Sequence, residues 1–233
     1  MKKLLLHLLS SLSFLLLSTS ITLSQSGDDI QQILDIMDKS TGLALYHRPS
    51  DYIKKSDSPV VCSLSRLDRR KRPELFMNLA EQFPDVQFIS MGKSRDQKWE
   101  QYLGDKYKNV PNLKITGFID QFSSNELSEI LEQSWVMINT ATREGLRNAF
   151  IESASHKCAI LSFVDPDNFA SEFGYHADKD DFKEGLKYLL ENNRWKAFGE
   201  KGYAYIKDTF ELDKSISRHI QIYKDLINQD FNK

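Results

Sequence analysis

The chain is short of cysteine, of paired histidines, of charge of one sign and of long apolar runs, and each shortage removes a class of function. Two cysteines in 233 residues, Cys62 and Cys158, supply no disulfide framework. Both lie in or beside apolar, strand-like runs and read as buried thiols of a reducing compartment. The five histidines (His7, His47, His156, His176 and His219) form no pair at metal-binding spacing, so no metal site is expected. A net charge of −2, with no basic face, implies no nucleic-acid partner. No internal repeat is present, and bias toward a few residue types is confined to a Leu/Ser leader.

What is there is the composition of an α/β protein with a real core: 40% apolar and 27% charged residues. From Pro59 onward short apolar runs alternate with stretches of helical spacing. The runs predict strands at Val60–Leu64, Val86–Met91, Leu113–Phe118, Trp135–Asn139 and Ala159–Phe163. Helices are predicted at Glu74–Phe83, Gln97–Lys106, Asn125–Glu132 and Leu146–Lys157. A loop (Asp165-Pro166-Asp167) and a turn at Phe169–Phe173 follow, then helices at Asp180–Glu191, Arg194–Asp208 and Lys214–Asn228. Trp195, Phe198, Tyr203, Tyr205 and Phe210 read as packing residues of these last helices. Strand–helix alternation argues a Rossmann-like parallel sheet with helices on both faces. Ligands of such sheets sit beyond the carboxyl ends of the strands.

The first 58 residues read differently. Met1–Ser26 carries Lys2-Lys3 followed by the apolar Leu4–Leu17, the pattern of a signal peptide. It falls short of the ~20 uninterrupted apolar residues of a spanning helix. The alternative is a buried helix and a strand at Ser20–Leu23 left from a neighbouring domain. Asp28–Lys39 has helical spacing, Leu43–Pro49 reads as a strand, and Ser50–Ser58 as a polar linker. The expected organisation is an apolar leader (1–26), a helix and linker (27–58) and one α/β domain (59–233).

Two stretches carry chemistry. Trp135–Glu152 runs from a strand through the polar turn Asn139–Thr142 into a helix, leaving free N–H groups suited to an anion. Glu144 stands before that helix and Glu152 within it. A rise of about 9 Å from Leu146 to Glu152 excludes a shared-proton pair and suits two carboxylates gripping different parts of an extended ligand. The second stretch, Ser63–Pro73, follows the first strand and holds Arg66 and Lys71 among further cations (Arg69, Arg70, Arg72). Fixed cations suit a nucleoside diphosphate and the charge it gains as a leaving group. Arg66 would bring a planar fork and Lys71 a mobile point charge.

The E-x7-E pattern of Glu144 and Glu152, with the R-x4-K pattern of Arg66 and Lys71, resembles the donor site of family-4 glycosyltransferases. Those enzymes have the GT-B fold of two Rossmann-like halves, and the resemblance covers the C-terminal half, about residues 43–228. It implies that Arg66 and Lys71 hold the donor diphosphate, Glu144 the sugar and Glu152 the ribose hydroxyls. Gly92 matches a glycine that lets the backbone approach the donor, and Ile119, after Phe118, a backbone contact to the base. Gly145-Leu146-Arg147 stands where the family often has a Gly-Phe-Gly-like turn, so Arg147 either adds a phosphate contact or crowds the sugar. Two further departures are Ser65 for glycine and Ser155-His156-Lys157 for Ala-Cys-Gly. His156 reads as a surface residue or one behind the site.

The resemblance implies a retaining hexosyl transfer with no metal, no protein nucleophile and no cofactor beyond the nucleotide-sugar donor. It leaves the acceptor unknown and points to glycoconjugate synthesis. Ile21–Ser26 looks like the end of a GT-B N-terminal domain, and nucleotide sugars are cytoplasmic. A cytoplasmic chain, with or without peripheral membrane association at the inner face, is therefore expected ahead of secretion. The acceptor half could come from a separate chain, as in the split N-acetylglucosamine transferase of the dolichol pathway. The alternatives are a binding module without turnover and a nucleotide-sugar 2-epimerase.

Overall fold

The central strands alternate their side chains between two cores, and that period of two sets the architecture. The computed structural model describes residues 52–210 apart from 122 and 147, together with Ser217, Ile220, Gln221 and Lys224. The leader, the Asp28–Lys39 helix, the Leu43–Pro49 strand, Arg147 and most of the Lys214–Asn228 helix lie outside the described residues. The strands are β1 (Val60–Leu64), β2 (Gln87–Met91), β3 (Leu113–Gly117), β4 (Val136–Asn139), β5 (Ala159–Ser162) and β6 (Gly174–His176). They form one sheet in the order β3-β2-β1-β4-β5-β6, every neighbouring pair parallel. Residues 52–59 enter β1 as irregular chain.

The helices are α1 (Pro73–Gln82), α2 (Gln97–Tyr107), α3 (Glu126–Gln133), α4 (Asn148–Ser155), α5 (Phe169–Phe173), α6 (Phe182–Leu190) and α7 (Arg194–Thr209). Val61, Val136, Ile138 and Leu161 face a core built with Phe76, Leu103 and Leu186 from α1, α2 and α6. Cys62, Met137 and Ile160 face the other, built with Leu131, Phe150 and Phe173 from α3, α4 and α5. Fully burying one such side chain stabilises the fold by about 2 kcal/mol, so a sheet buried on both faces needs few strand residues. Helix starts follow local chemistry: Pro73 opens α1, and the Asp96 carboxylate accepts from Trp99 N at 3.1 Å to cap α2. No described helix is long and apolar enough to cross a membrane.

The predicted strands match five of the six to within a residue at either end, the range over which such boundaries are set by fraying. Three expectations need correction. The sheet gains β6, three residues at its edge. Phe169–Phe173 is a short helix, held by the Asp165 carboxylate accepting from Ala170 N at 2.7 Å. The helix expected from Leu146 starts at Asn148, because Leu146 packs on the second core from the preceding loop.

The end of the sheet where the strands begin is sealed by hydrogen bonds. Lys55 Nζ donates to the carbonyls of Leu131 and Ser134 at the end of α3 and lies 3.5 Å from Cys158 Sγ. Trp135 Nε1 donates to Ser56 O at 2.9 Å, and its ring stacks on Trp195 at 4.6 Å. Asn112 Nδ2 gathers the carbonyls of Ala80, Phe83 and Val86 within 2.9 Å. Both cysteines are buried free thiols, as expected. Burial opposes ionisation of Cys158, but its contact with Cys62 and the Lys55 ammonium outweigh it and bring its pKa to about 7. The Cys62 thiol is pushed up by that same contact and by burial.

Candidate functional site

The strand order reverses between β1 and β4, so the loops leaving their carboxyl ends diverge and open a crevice. The loop after β1 is fixed along its length. Ser65 N donates to Met91 O at 3.1 Å and Leu67 N to Lys93 O at 3.2 Å, while Trp99 Nε1 reaches Leu67 O at 2.7 Å. The Arg69 guanidinium lies 3.9 Å above the Trp99 ring. The loop ends in a 3-10 turn, Arg69–Lys71, that turns the Lys71 side chain inward. After β4, the Asn139 side chain accepts from Ala141 N at 3.0 Å, an Asx turn that shapes the approach to Glu144.

Across the crevice the Lys71 ammonium contacts Glu144 Oε1, with the two side chains only 8% and 12% exposed. Two residues 73 positions apart in the chain thus meet as a shielded ion pair at the reversal point. Thr140 Oγ1 shares its proton between Lys71 O at 2.6 Å and Arg72 O at 3.0 Å. Arg72 Nε returns a hydrogen bond to Thr140 O at 2.6 Å.

Arg66 lies nearer the β2 side. Its Nη1 is buried 3.2 Å from Asp68 Oδ2 in a geometry that makes no hydrogen bond. Arg66 and Gly92, with Lys93, Ser94, Arg95 and Phe118, line an open cavity of about 820 Å³ at the ends of β1, β2 and β3. Lys71 and Glu144 do not line it. Phe118 is 66% exposed, with the Lys93 ammonium 5.5 Å from its ring centre. Ile119 instead packs half-buried against the second core.

The remaining predicted residues separate into three groups. Glu152 is half-buried one turn into α4, closer to the helix start than the sequence reading placed it. Gly145 is exposed, Leu146 half-buried, and Arg147 lies outside the described residues. Gly92 has φ +130°, and a Cβ there would stand 2.1 Å from Ser65 O, so a glycine is required by the close approach of two strand ends. His156 is not a surface residue. It is 5% exposed, and its Nδ1 donates to Glu152 O at 2.7 Å, which fixes the tautomer that leaves Nε2 without the proton in the neutral ring.

Sequence reasoning missed Thr140 and Arg72. Thr140 sits in a turn where polar residues are ordinary, and Arg72 was one cation among several. Neither carries a local signal, since their partners lie 68 or more positions away.

Residues 49–219 match the family described as "Glycosyl transferases group 1". No curated protein matches the chain. Among solved structures, Anabaena HepE in complex with UDP-glucose has a TM-score of 0.58 at 15% identity, covering 86% of this chain and 53% of its own. The pneumococcal O-GlcNAc transferase GtfA, in complex with UDP and GlcNAc, has a TM-score of 0.58 at 15% identity, over 87% of this chain and 44% of that one. The C-terminal domain of a group 1 family glycosyl transferase, LpcC from Francisella tularensis, has a TM-score of 0.55 at 18% identity, over 73% of this chain and 97% of that domain. These are likenesses of fold. The chain spans about half the length of HepE and nearly all of the isolated LpcC domain.

Proposed function

The chain belongs to the group 1 glycosyl transferases, and from that membership we propose that residues 59–233 form the donor-binding domain of a retaining, metal-independent hexosyltransferase. The donor is a nucleoside diphosphate sugar. The acceptor side of the cleft is supplied by a second domain, in this polypeptide or in a partner chain, and the protein is cytoplasmic, with or without association with the inner face of the membrane.

The observation that carries this reading is the shielded Lys71–Glu144 pair at the strand reversal, beside a loop that is already rigid. A shielded cation acts strongly on developing phosphate charge, because little solvent screens it. Lys71 would exchange its carboxylate partner for the diphosphate, releasing Glu144 to accept hydroxyl groups of the sugar. Arg66 Nη1, buried without a hydrogen bond, supplies a second donor to phosphate. Glu152, one turn into α4, accepts from the ribose hydroxyls, and the backbone at Ile119 borders the base. Gly145 and Leu146 let the chain pass close to the sugar. With two cations for the leaving group, transfer proceeds without a metal ion.

The test is calorimetric titration of the full chain with UDP, GDP, ADP and UDP-glucose, the last because HepE and GtfA carry UDP compounds. Saturable binding of one nucleotide is expected, weakened about a hundredfold in Glu152→Ala and in Arg66→Ala, each of which removes a charge-assisted contact. No binding at millimolar nucleotide sinks the reading. A second reading, a donor-binding module without turnover, is favoured by the chain's match to about half of HepE. Nucleotide binding with no release of UDP or GDP in the presence of sugar acceptors would establish that second reading instead.

A further inference from the structure

Arg72 occupies a conformation that its residue type seldom takes, φ +52° and ψ +50°, at the junction of the Arg69–Lys71 turn and α1. Such left-handed residues persist where the surroundings over-determine them, and they gather at functional sites. Here the surroundings can be named. The guanidinium donates from Nε to Thr140 O at 2.6 Å and from Nη1 to both oxygens of Asp180, at 2.7 and 2.9 Å. Its plane lies 4.5 Å from the Phe163 ring centre. Thr140 answers through Oγ1, which holds the carbonyls of Lys71 and Arg72.

One side chain therefore ties the loop after β1 to the turn after β4 and to the loop after β6. The residue before it is Lys71, and four residues beyond Thr140 stands Glu144. The ion pair is formed by two flexible side chains, yet the backbones that carry them are clamped together on both sides. We propose that Arg72, acting through Thr140 and Asp180, is the positioning residue that holds Lys71 and Glu144 in place across the strand reversal. This inference rests on reading that pair as donor contacts. The Arg72 hydrogen bonds described above go to protein acceptors, while Nη2 is buried without one. Its fork of N–H groups serves two acceptors in different directions at once, which a lysine ammonium on a flexible stem does poorly.

The experiment compares Arg72→Lys, Arg72→Gly, Thr140→Val and Asp180→Asn in the full chain, with two readouts. The first is the rate at which an amine-specific reagent modifies Lys71, located by peptide mass spectrometry. The second is the ratio of UDP to uridine affinity, which isolates the diphosphate contribution. Arg72→Lys and Thr140→Val are expected to speed Lys71 labelling and to cut the UDP:uridine ratio, each about tenfold, with uridine affinity unchanged. Asp180→Asn, which keeps the Thr140 bond, is expected to act in the same direction by about threefold, the size of an exposed contact. Arg72→Gly suits the left-handed backbone but removes the side chain, so it is expected to behave like Arg72→Lys. If Arg72→Gly or Thr140→Val keeps both the slow labelling and the full ratio, the positioning role is overturned. A wild-type chain that binds UDP no tighter than uridine sinks the donor reading, and the proposal with it, whatever the labelling rates.

Discussion

Two lysines are held against opposite ends of the same sheet, and they are held by different chemistry. Lys71 meets a carboxylate at the carboxyl ends of β1 and β4. Lys55 meets the carbonyls of Leu131 and Ser134 at the amino ends. Those carbonyls lie at the last turn of α3 and its C-cap, where a cation complements the helix dipole. Both carbonyls also accept from the Cys158 thiol, and Leu131 O from Ser134 N, so Lys55 is one of several bonds that hold this end together. The carboxylate of Glu144 is itself an anion, so on the proposed reading Lys71 is a contact that the donor diphosphate takes over. Lys71 is buried and Lys55 only half-buried, and the two differ in partner: a carboxylate at one end, backbone carbonyls at the other.

The largest expected effect breaks the contrast at the Lys71 end. Lys71→Met removes the ammonium from its contact with a shielded carboxylate and is expected to cost about 3 kcal/mol of stability, along with nucleotide binding. Adding Glu144→Gln should return most of the stability, seen as the denaturant midpoint, while nucleotide binding stays lost. Recovery of binding in the double variant would place the donor contact elsewhere. Next come two glycines, one at each end. Gly92→Ala sets a Cβ against Ser65 O, and Gly199→Ala sets one 2.2 Å from Lys157 O. Each is expected to lower stability by about 2 kcal/mol or more through backbone displacement. Nucleotide affinity should fall in Gly92→Ala alone, and equal losses in both would erase the distinction between the ends.

The smaller effects sharpen the Lys55 end. Lys55→Met leaves the α3 carbonyls without their cation and is expected to cost about 1–2 kcal/mol, with nucleotide affinity unchanged. The same change should raise the Cys158 pKa from about 7, followed through the chemical shift of its Cβ. The sign is fixed by linkage. A thiol pulled below its ordinary value of 9.0 stabilises the fold above that value, and the contribution is lost as the pH falls through about 7. Wild-type stability is therefore expected to rise between about pH 7 and pH 9, and the Lys55→Met chain to show a flatter profile.

The strands were legible because a sheet covered on both faces favours apolar runs, and Val60–Leu64 is apolar but for Ser63. β6 was not, because Gly174-Tyr175-His176 is too short to show a period. Gly174 is nonetheless fixed by packing, since a Cβ there would stand 1.8 Å from Ile160 O. Leu146 misled the helix boundary because periodicity records burial, and a loop residue that reaches the core scores like a helical one. In the candidate site, the E-x7-E and R-x4-K spacings named Glu144 and Lys71, and the fold set those two against each other. Gly92 was named for a ligand, while its geometry is demanded first by Ser65. Arg72 was hidden among equivalent cations, because its distinction is an Asp180 carboxylate 108 positions away.

The seam between β1 and β4 has a consequence in time. It joins Val61 to Val136 and Cys62 to Met137, roughly 75 residues apart, whereas the other pairings join strands that follow one another along the chain. Loop closure makes such a pairing entropically costly and slow relative to its neighbours. The two walls of the crevice can each form early from contiguous chain, but the crevice exists only once the seam has closed. A nucleotide that recognises the finished crevice therefore has nothing to grip during most of folding. Its expected kinetic effect is to slow unfolding while leaving the folding rate almost unchanged.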